Sequence, residues 1–320
     1  MNNLKAKTLE KGQTIGIISP ASKTNQKHLF EGIEYLESLG YKTKLSKNAL
    51  QSYNGYAGTD EERVYDINSF FEDDTVDAIF CSRGGYGSIR LLDYINYDII
   101  KSNNKIFVGY SDITSLHLAI YQKTKLITFH APMVDIDMAM SRDNSFSKES
   151  LNMMFSTLSS KENIEYKNPD NTNFNSISEG IAEGILIGGN FIVMMSSFGT
   201  EYFPDFTNNN YILYIEEIDE KPYKIDRMLS TIINSKLIGK CIKGIIVGDF
   251  EDCDLKENQK DTGLRTAKET ILERLSNINI PVLTNVRCGH NKIKLTLAHG
   301  AKVEIDTYKN TFRTLENILI

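Results

Sequence analysis

Short apolar, β-branched runs alternate with helical periodicities along the first half of this chain. Residues 14–19 form the first such run, ended by Pro20. A helical pattern over 26–39 follows and stops at Gly40, the residue type that closes many helices. Further strands are predicted at 41–45, 78–81, 106–108 and 126–129, with helices at 61–71, 88–95 and after Ser111. Strands and helices alternating at this spacing imply βαβ units and a mostly parallel sheet. The strand runs are apolar throughout, so helices should cover both faces of that sheet.

The pattern changes near residue 156. Residues 159–180 are rich in Ser, Asn, Asp, Lys and Glu and contain the turn-prone Asn168-Pro169-Asp170-Asn171, which reads as a linker. Beyond it lie a glycine-rich apolar run at 184–189, strands at 211–215 and 243–247, and helices starting at 223 and spanning 264–275. Short strands at 281–285, 294–297 and 301–305 complete the pattern. The expected architecture is α/β: an N-terminal flavodoxin/Rossmann-like parallel-sheet domain (1–158), the linker (159–180), and a smaller C-terminal α/β domain with a mixed sheet (181–320). A length of 320 residues suits two such cores.

Composition narrows the function classes. With 41% hydrophobic and 24% charged residues, the chain reads as an ordinary soluble globular protein. A formal charge of −6 with scattered lysines gives no support to a nucleic-acid partner. The polar segment 1–12 lacks the apolar core of a secretory signal, and no apolar run reaches the length of a membrane span. A cytoplasmic protein without a membrane partner is expected. Cys81, Cys241, Cys253 and Cys288 are far apart, with no C-x-x-C pair, so free thiols are expected and a zinc site is not.

Residues 105–121 carry the sharpest chemical signal. The apolar run Ile106-Phe107-Val108 ends at Gly109, Ser111 follows two residues later, and a helical pattern begins at once. A serine on a tight strand-to-helix turn is how α/β hydrolases hold a nucleophile, with the next amide available to an oxyanion. The usual elbow has glycine two residues after the serine, where this chain has Ile113. Alone, the segment supports a nucleophile and a simple helix cap by Ser111 or Asp112 equally well.

A nucleophilic serine needs a base, and the base needs an orienting acid. Of five histidines, His28 reads as a surface residue and His117 as packing. His130 ends a strand where it could line a cleft, and His299 reads as a turn residue. His290, in the loop Arg287-Cys288-Gly289-His290-Asn291, is the best base candidate. Glu216 and Glu217 end an apolar strand and point to opposite faces, so only one can orient the base. Arg83-Gly84-Gly85-Tyr86-Gly87 could bring backbone amides close to a substrate. It lacks the Lys-Ser/Thr ending of a phosphate-binding loop, and a plain tight turn remains an alternative.

Taken together, these motifs resemble the LD-carboxypeptidase / microcin-C-resistance family of serine peptidases. The resemblance rests on Gly109-Tyr110-Ser111-Asp112, the loop 83–87, the segment 216–229 and Gly289-His290 with the trailing Thr296-Leu297-x-x-Gly300. Residues 15–22 and Gly188-Gly189-Asn190 also fit. Ala298 and Phe191 stand where relatives commonly have proline and leucine. The resemblance implies a Ser111–Glu216–His290 triad, with the amides of Gly85 and Asp112 as the oxyanion hole. It implies no metal and no cofactor. The substrate would be a small murein tetrapeptide that loses its terminal D-alanine in peptidoglycan recycling, with Arg83 and Arg227 as candidates for binding its carboxylate. The alternative is cleavage of aminoacyl-nucleotide antibiotics, which a family branch recognises by stacking on tryptophan; this chain has none. Relatives often form homodimers. The triad would span both halves, in a cleft between them.

Overall fold

A computed structural model describes residues 3–141, 146–255 and 263–320. The strands are β1 (Thr14–Ile18), β2 (Lys42–Leu45), β3 (Ala78–Cys81), β4 (Ile106–Gly109), β5 (Thr128–His130), β6 (Asn175–Ser178), β7 (Ile181–Asn190), β8 (Tyr211–Ile218), β9 (Ile242–Glu251), β10 (Val282–Thr284), β11 (Leu297–His299), β12 (Lys302–Asp306) and β13 (Thr311–Thr314). The helices are α1 (Gln26–Ser38), α2 (Asp60–Glu72), α3 (Tyr97–Ser102), α4 (Thr114–Thr124), α5 (Lys148–Ser159), α6 (Phe191–Ser197), α7 (Pro222–Asn234) and α8 (Ala267–Leu275).

The first sheet has the order β11-β5-β4-β3-β1-β2. Its five N-terminal strands run parallel, and β11 closes the edge antiparallel to β5. Alternate residues feed two cores: Ile15, Ile17, Phe80 and Val108 on one face, Ile18, Ile79, Cys81 and Phe107 on the other. The second sheet, β13-β12-β7-β8-β9-β10-β6, is parallel through β7 to β10 and antiparallel at both flanks. This is the two-sheet α/β architecture expected from the sequence.

Helix α4 lies between the two sheets. Residues 114–121 are all buried, as required of a helix covered on every side. Its Thr114 Oγ1 accepts a hydrogen bond from the Asn190 amide at the end of β7, at 3.0 Å. α7, by contrast, has one apolar stripe of Ile225, Met228, Leu229 and Ile232, and Pro222 opens it.

Several expected boundaries move. Residues 159–180 do not form a bare connection: Asn175–Ser178 pairs with β10, and Tyr166 is buried against Phe312. Their polar composition fits an edge position, where one flank of the strand faces water. Strand β11 lies in the C-terminal half by sequence yet belongs to the first sheet. The strand expected at 294–297 falls instead at Leu297–His299, because Leu295 N closes a loop onto Arg287 O and Lys294 turns inward. The helix expected at 88–95 is a single 3-10 turn at Ser88–Leu91. Asn96 ends it by capping α3, its side chain accepting from the amides of Asp98 and Ile99. All four cysteines are free and buried. Among the described residues, no helix is long and apolar enough to cross a membrane.

Candidate active site

Ser111 lies two residues past the end of β4 and adopts a left-handed backbone with φ of +62°. This conformation costs a non-glycine residue free energy and needs its surroundings to hold it. The surroundings are visible. The Asp112 carboxylate accepts from Ser88 N at 2.8 Å, and Asp112 O accepts from Ser88 Oγ at 2.5 Å. The 83–87 loop packs on the other side of the turn. A Cβ added to Gly84 would lie 2.8 Å from Ser111 Cβ and 3.3 Å from Asp112 N, so only glycine allows this approach. Ser22 shapes the same loop, donating its amide to Gly84 O and accepting from Tyr86 N at 3.1 Å.

The structure brings together the three residues singled out from the sequence. His290 Nε2 lies 2.9 Å from Ser111 Oγ, and His290 Nδ1 lies 2.8 Å from Glu216 Oε2. The carboxylate can only accept, so Nδ1 carries the proton and Nε2 presents its lone pair to the hydroxyl. Glu216 is fully buried at the end of β8, while His290 stays partly accessible. The neighbouring Gly289 has φ of +120°, and a Cβ there would lie 2.6 Å from Glu216 Oε2. Glycine therefore lets the imidazole loop close onto the acid.

Glu217 faces the opposite side of β8. It accepts from Asn190 Nδ2 at 2.7 Å, Ile192 N at 2.8 Å and Ile218 N at 2.9 Å. It thereby ties the start of α6 to β8. Burial pushes its carboxyl up to about 7, against the pull of these hydrogen bonds.

The other histidines separate clearly from His290. His117 is buried, with Nε2 2.8 Å from Gly109 O and Nδ1 2.8 Å from Thr128 Oγ1. Burial lowers its pKa to about 4. His130 is fully buried beneath the site, its ring 5.8 Å from that of Tyr110, and so does not line an open cleft. His299 lies in β11, 3.3 Å from Tyr214 Oη, and is a buried strand residue instead of the expected turn residue.

Arg83 is half-buried, with Nη1 3.5 Å from Lys23 O and no partner for Nε among the described residues. It opposes the burial that raises nearby Asp135 to about 6. Arg227 is exposed on α7, with its guanidinium over the Tyr223 ring at 5.6 Å. The neighbouring Asp226 pairs with Arg274 at 3.3 Å. Asp137 and Lys294, which no sequence motif singles out, gather with Tyr110 behind the Ser111–His290–Glu216 hydrogen bonds. No spacing signal in one sequence reveals that a lysine in a β-like run will turn into a core. Among the described residues, no cluster of histidine, cysteine and carboxylate groups is suited to a metal.

Comparison with known proteins agrees with this architecture. Residues 15–131 match the LD-carboxypeptidase N-terminal domain, and residues 183–305 match the LD-carboxypeptidase C-terminal domain. A probable murein peptide carboxypeptidase of Bacillus subtilis is 36% identical over 97% of this chain and 93% of its own. The microcin C7 self-immunity protein MccF of Escherichia coli is 32% identical over 95% of this chain and 93% of its own. Among solved structures, MccF in complex with aspartyl sulfamoyl adenosine superposes with a TM-score of 0.88 at 27% identity, covering 99% of this chain and all of that one. The muramoyltetrapeptide carboxypeptidase of Oxalobacter formigenes gives 0.80 at 27% identity, covering 94% and 97%. The chain belongs to the LD-carboxypeptidase family of peptidases.

Proposed function

We propose that this protein is a cytoplasmic serine carboxypeptidase that releases terminal D-alanine from murein tetrapeptides during peptidoglycan recycling. The observation that carries this reading is the continuous hydrogen-bonded chain from Ser111 through His290 to Glu216. His290 Nε2 takes the Ser111 proton as Oγ attacks the carbonyl carbon between the L-centre and D-alanine. Glu216 fixes the tautomer and stabilises the imidazolium. The oxyanion forms where the amides of Gly85 and Asp112 can donate to it, a role supported by the tight packing of the adjacent Gly84 on Ser111 and Asp112 N. Collapse of the intermediate breaks the C–N bond, and His290 returns its proton to the departing amine. Water then attacks the ester through the same base, freeing the shortened peptide and Ser111.

The free carboxylate of D-alanine needs a cation. Arg83, beside the Gly84–Gly85 pair and only half-buried, is the proposed partner. The family resemblance to the murein enzyme of Bacillus subtilis supports the substrate class. A second reading, cleavage of an aminoacyl-nucleotide, draws support from the likeness to MccF bound to aspartyl sulfamoyl adenosine. The absence of tryptophan weighs against base stacking of that kind.

Mass spectrometry of a tetrapeptide incubated with wild-type protein and with Ser111→Ala tests the proposal. Wild type should release D-alanine, and the variant should be slower by at least about 10³-fold. Release by the variant at the wild-type rate would refute the assigned nucleophile. Turnover of an aminoacyl sulfamoyl adenosine with no action on the tetrapeptide would select the second reading.

A further inference from the structure

The loop that carries His290 is closed at its base by Leu295 N donating to Arg287 O at 2.6 Å. At the foot of this loop Lys294 turns into the protein interior and is 1% exposed. Its Nζ lies 3.0 Å from Asp137 Oδ1. Asp137 belongs to the N-terminal half, in the turn Val134–Met138 that follows β5, and is 2% exposed. Its second oxygen accepts from Met133 N at 2.8 Å. The same Nζ stands 3.9 Å above the ring of Tyr110 and 5.1 Å from that of Phe146. Tyr110 immediately precedes Ser111, and its ring meets the His290 ring edge-on at 5.1 Å. Its hydroxyl lies 3.4 Å from Asp137 Oδ1.

An ion pair this deeply buried is an expensive choice on stability grounds. Desolvation of both charges tends to cancel their attraction, and apolar replacements of equal volume often serve as well. Its location suggests another use. The pair joins the base loop of one half to the other half and meets Tyr110, the residue that seats the nucleophile. Ammonium over ring and ring edge-on to imidazole form one line of contacts ending at His290.

We propose that Lys294 and Asp137 are positioning residues that, through Tyr110, fix the His290 loop against the Ser111 turn. Neither touches the reacting atoms. Their contribution is the registry of two loops that come from different halves of the chain and meet at a single 2.9 Å hydrogen bond. A shift of roughly 1 Å at such a contact costs on the order of 10²-fold in rate. Ground-state binding draws on other surfaces, so kcat should carry the loss. The proposal rests on Ser111 being the nucleophile.

The test uses the full chain as wild type, Lys294→Met, Lys294→Arg and the double variant Lys294→Met/Asp137→Met. Three readouts are taken: kcat and KM for D-alanine release from a tetrapeptide, the rate of Ser111 labelling by a fluorophosphonate, and the thermal midpoint. The double variant strands no buried charge and should fold. Its kcat and labelling rate should nevertheless fall by about 10²-fold with KM within about 2-fold. Lys294→Arg keeps the cation and should label within about 10-fold of wild type. Wild-type kcat and labelling in a folded double variant would overturn the proposal. If the double variant does not fold, equal labelling of Lys294→Arg and Lys294→Met overturns it instead. Wild-type labelling without D-alanine release counts against the peptide substrate alone, and the positioning role is then judged on labelling. No labelling of wild type removes the serine reading and this one together.

Discussion

Two adjacent glutamates at the end of β8 show how one position along a strand decides a residue's chemistry. Glu216 points at the imidazole, and Glu217 points away into the Asn190–Ile192 turn. Exchanging each for glutamine should separate the roles. Glu216→Gln offers an amide or a weaker acceptor to Nδ1–H and should lower kcat by about 10³- to 10⁴-fold, as the loss of a triad carboxylate does elsewhere. Glu217→Gln keeps one acceptor but turns an NH₂ toward a backbone donor, so it should lower stability by about 1–3 kcal/mol and leave kcat within about 10-fold. Steady-state kinetics and urea melts on both variants check this. A larger kcat loss in Glu217→Gln would reverse the assignment.

The elements that were readable in the sequence are those whose periodicity is set by burial. The strand Ala78–Cys81 agrees with the expected span residue for residue, and α1, α2 and β4 agree closely, because each presents apolar residues to a core on a regular spacing. Ser111, Glu216 and His290, which the fold brings within hydrogen-bond distance of one another, each stand where an apolar strand or its following turn ends, but it is the family resemblance that singles them out as a set. What escaped reading is decided by contacts made across the fold. Edge strands β6 and β13 have no apolar alternation strong enough to announce them. His299 looked like a turn residue beside Gly300, and only its pairing with β5 makes it a strand residue.

Helix α4 carries a prediction of the same kind. His117 holds Gly109 O and Thr128 Oγ1 as a neutral ring, with its pKa lowered to about 4 by burial. The unfolded chain binds this proton near pH 6.5 and the folded chain only near 4. Stability from this residue is therefore complete above about 6.5 and is lost as pH falls toward 4. Relative to His117→Gln, the wild type should lose on the order of 3 kcal/mol across that window. Urea melts of both proteins from pH 4 to 7 measure the difference. A gap that does not change with pH would show that the ring titrates freely in the folded state.

On the scale of the whole molecule, the two sheets are laced together in ways that a simple two-domain chain would not show. Strand β11 leaves the C-terminal half to complete the first sheet, then the chain returns as β12 to the second. Ile318 and Leu319 fill the core of the first sheet, and Thr8 N and Ile320 N pair with Ile320 O and Ala6 O. α4 is buried between the sheets, with Thr114 bonded to Asn190 N. Separating the halves would therefore strip an edge strand and part of a core from the first sheet. Units that share this much buried surface should not melt independently. Calorimetry of the full chain should give one transition whose van't Hoff and calorimetric enthalpies agree, and the Lys294→Met/Asp137→Met variant should keep that single transition. Two resolved transitions would mean that the crossing strand is held weakly. The active site would then sit on an interface able to open, and the 2.9 Å contact between Ser111 and His290 would depend on closure of the halves instead of being built into the resting fold.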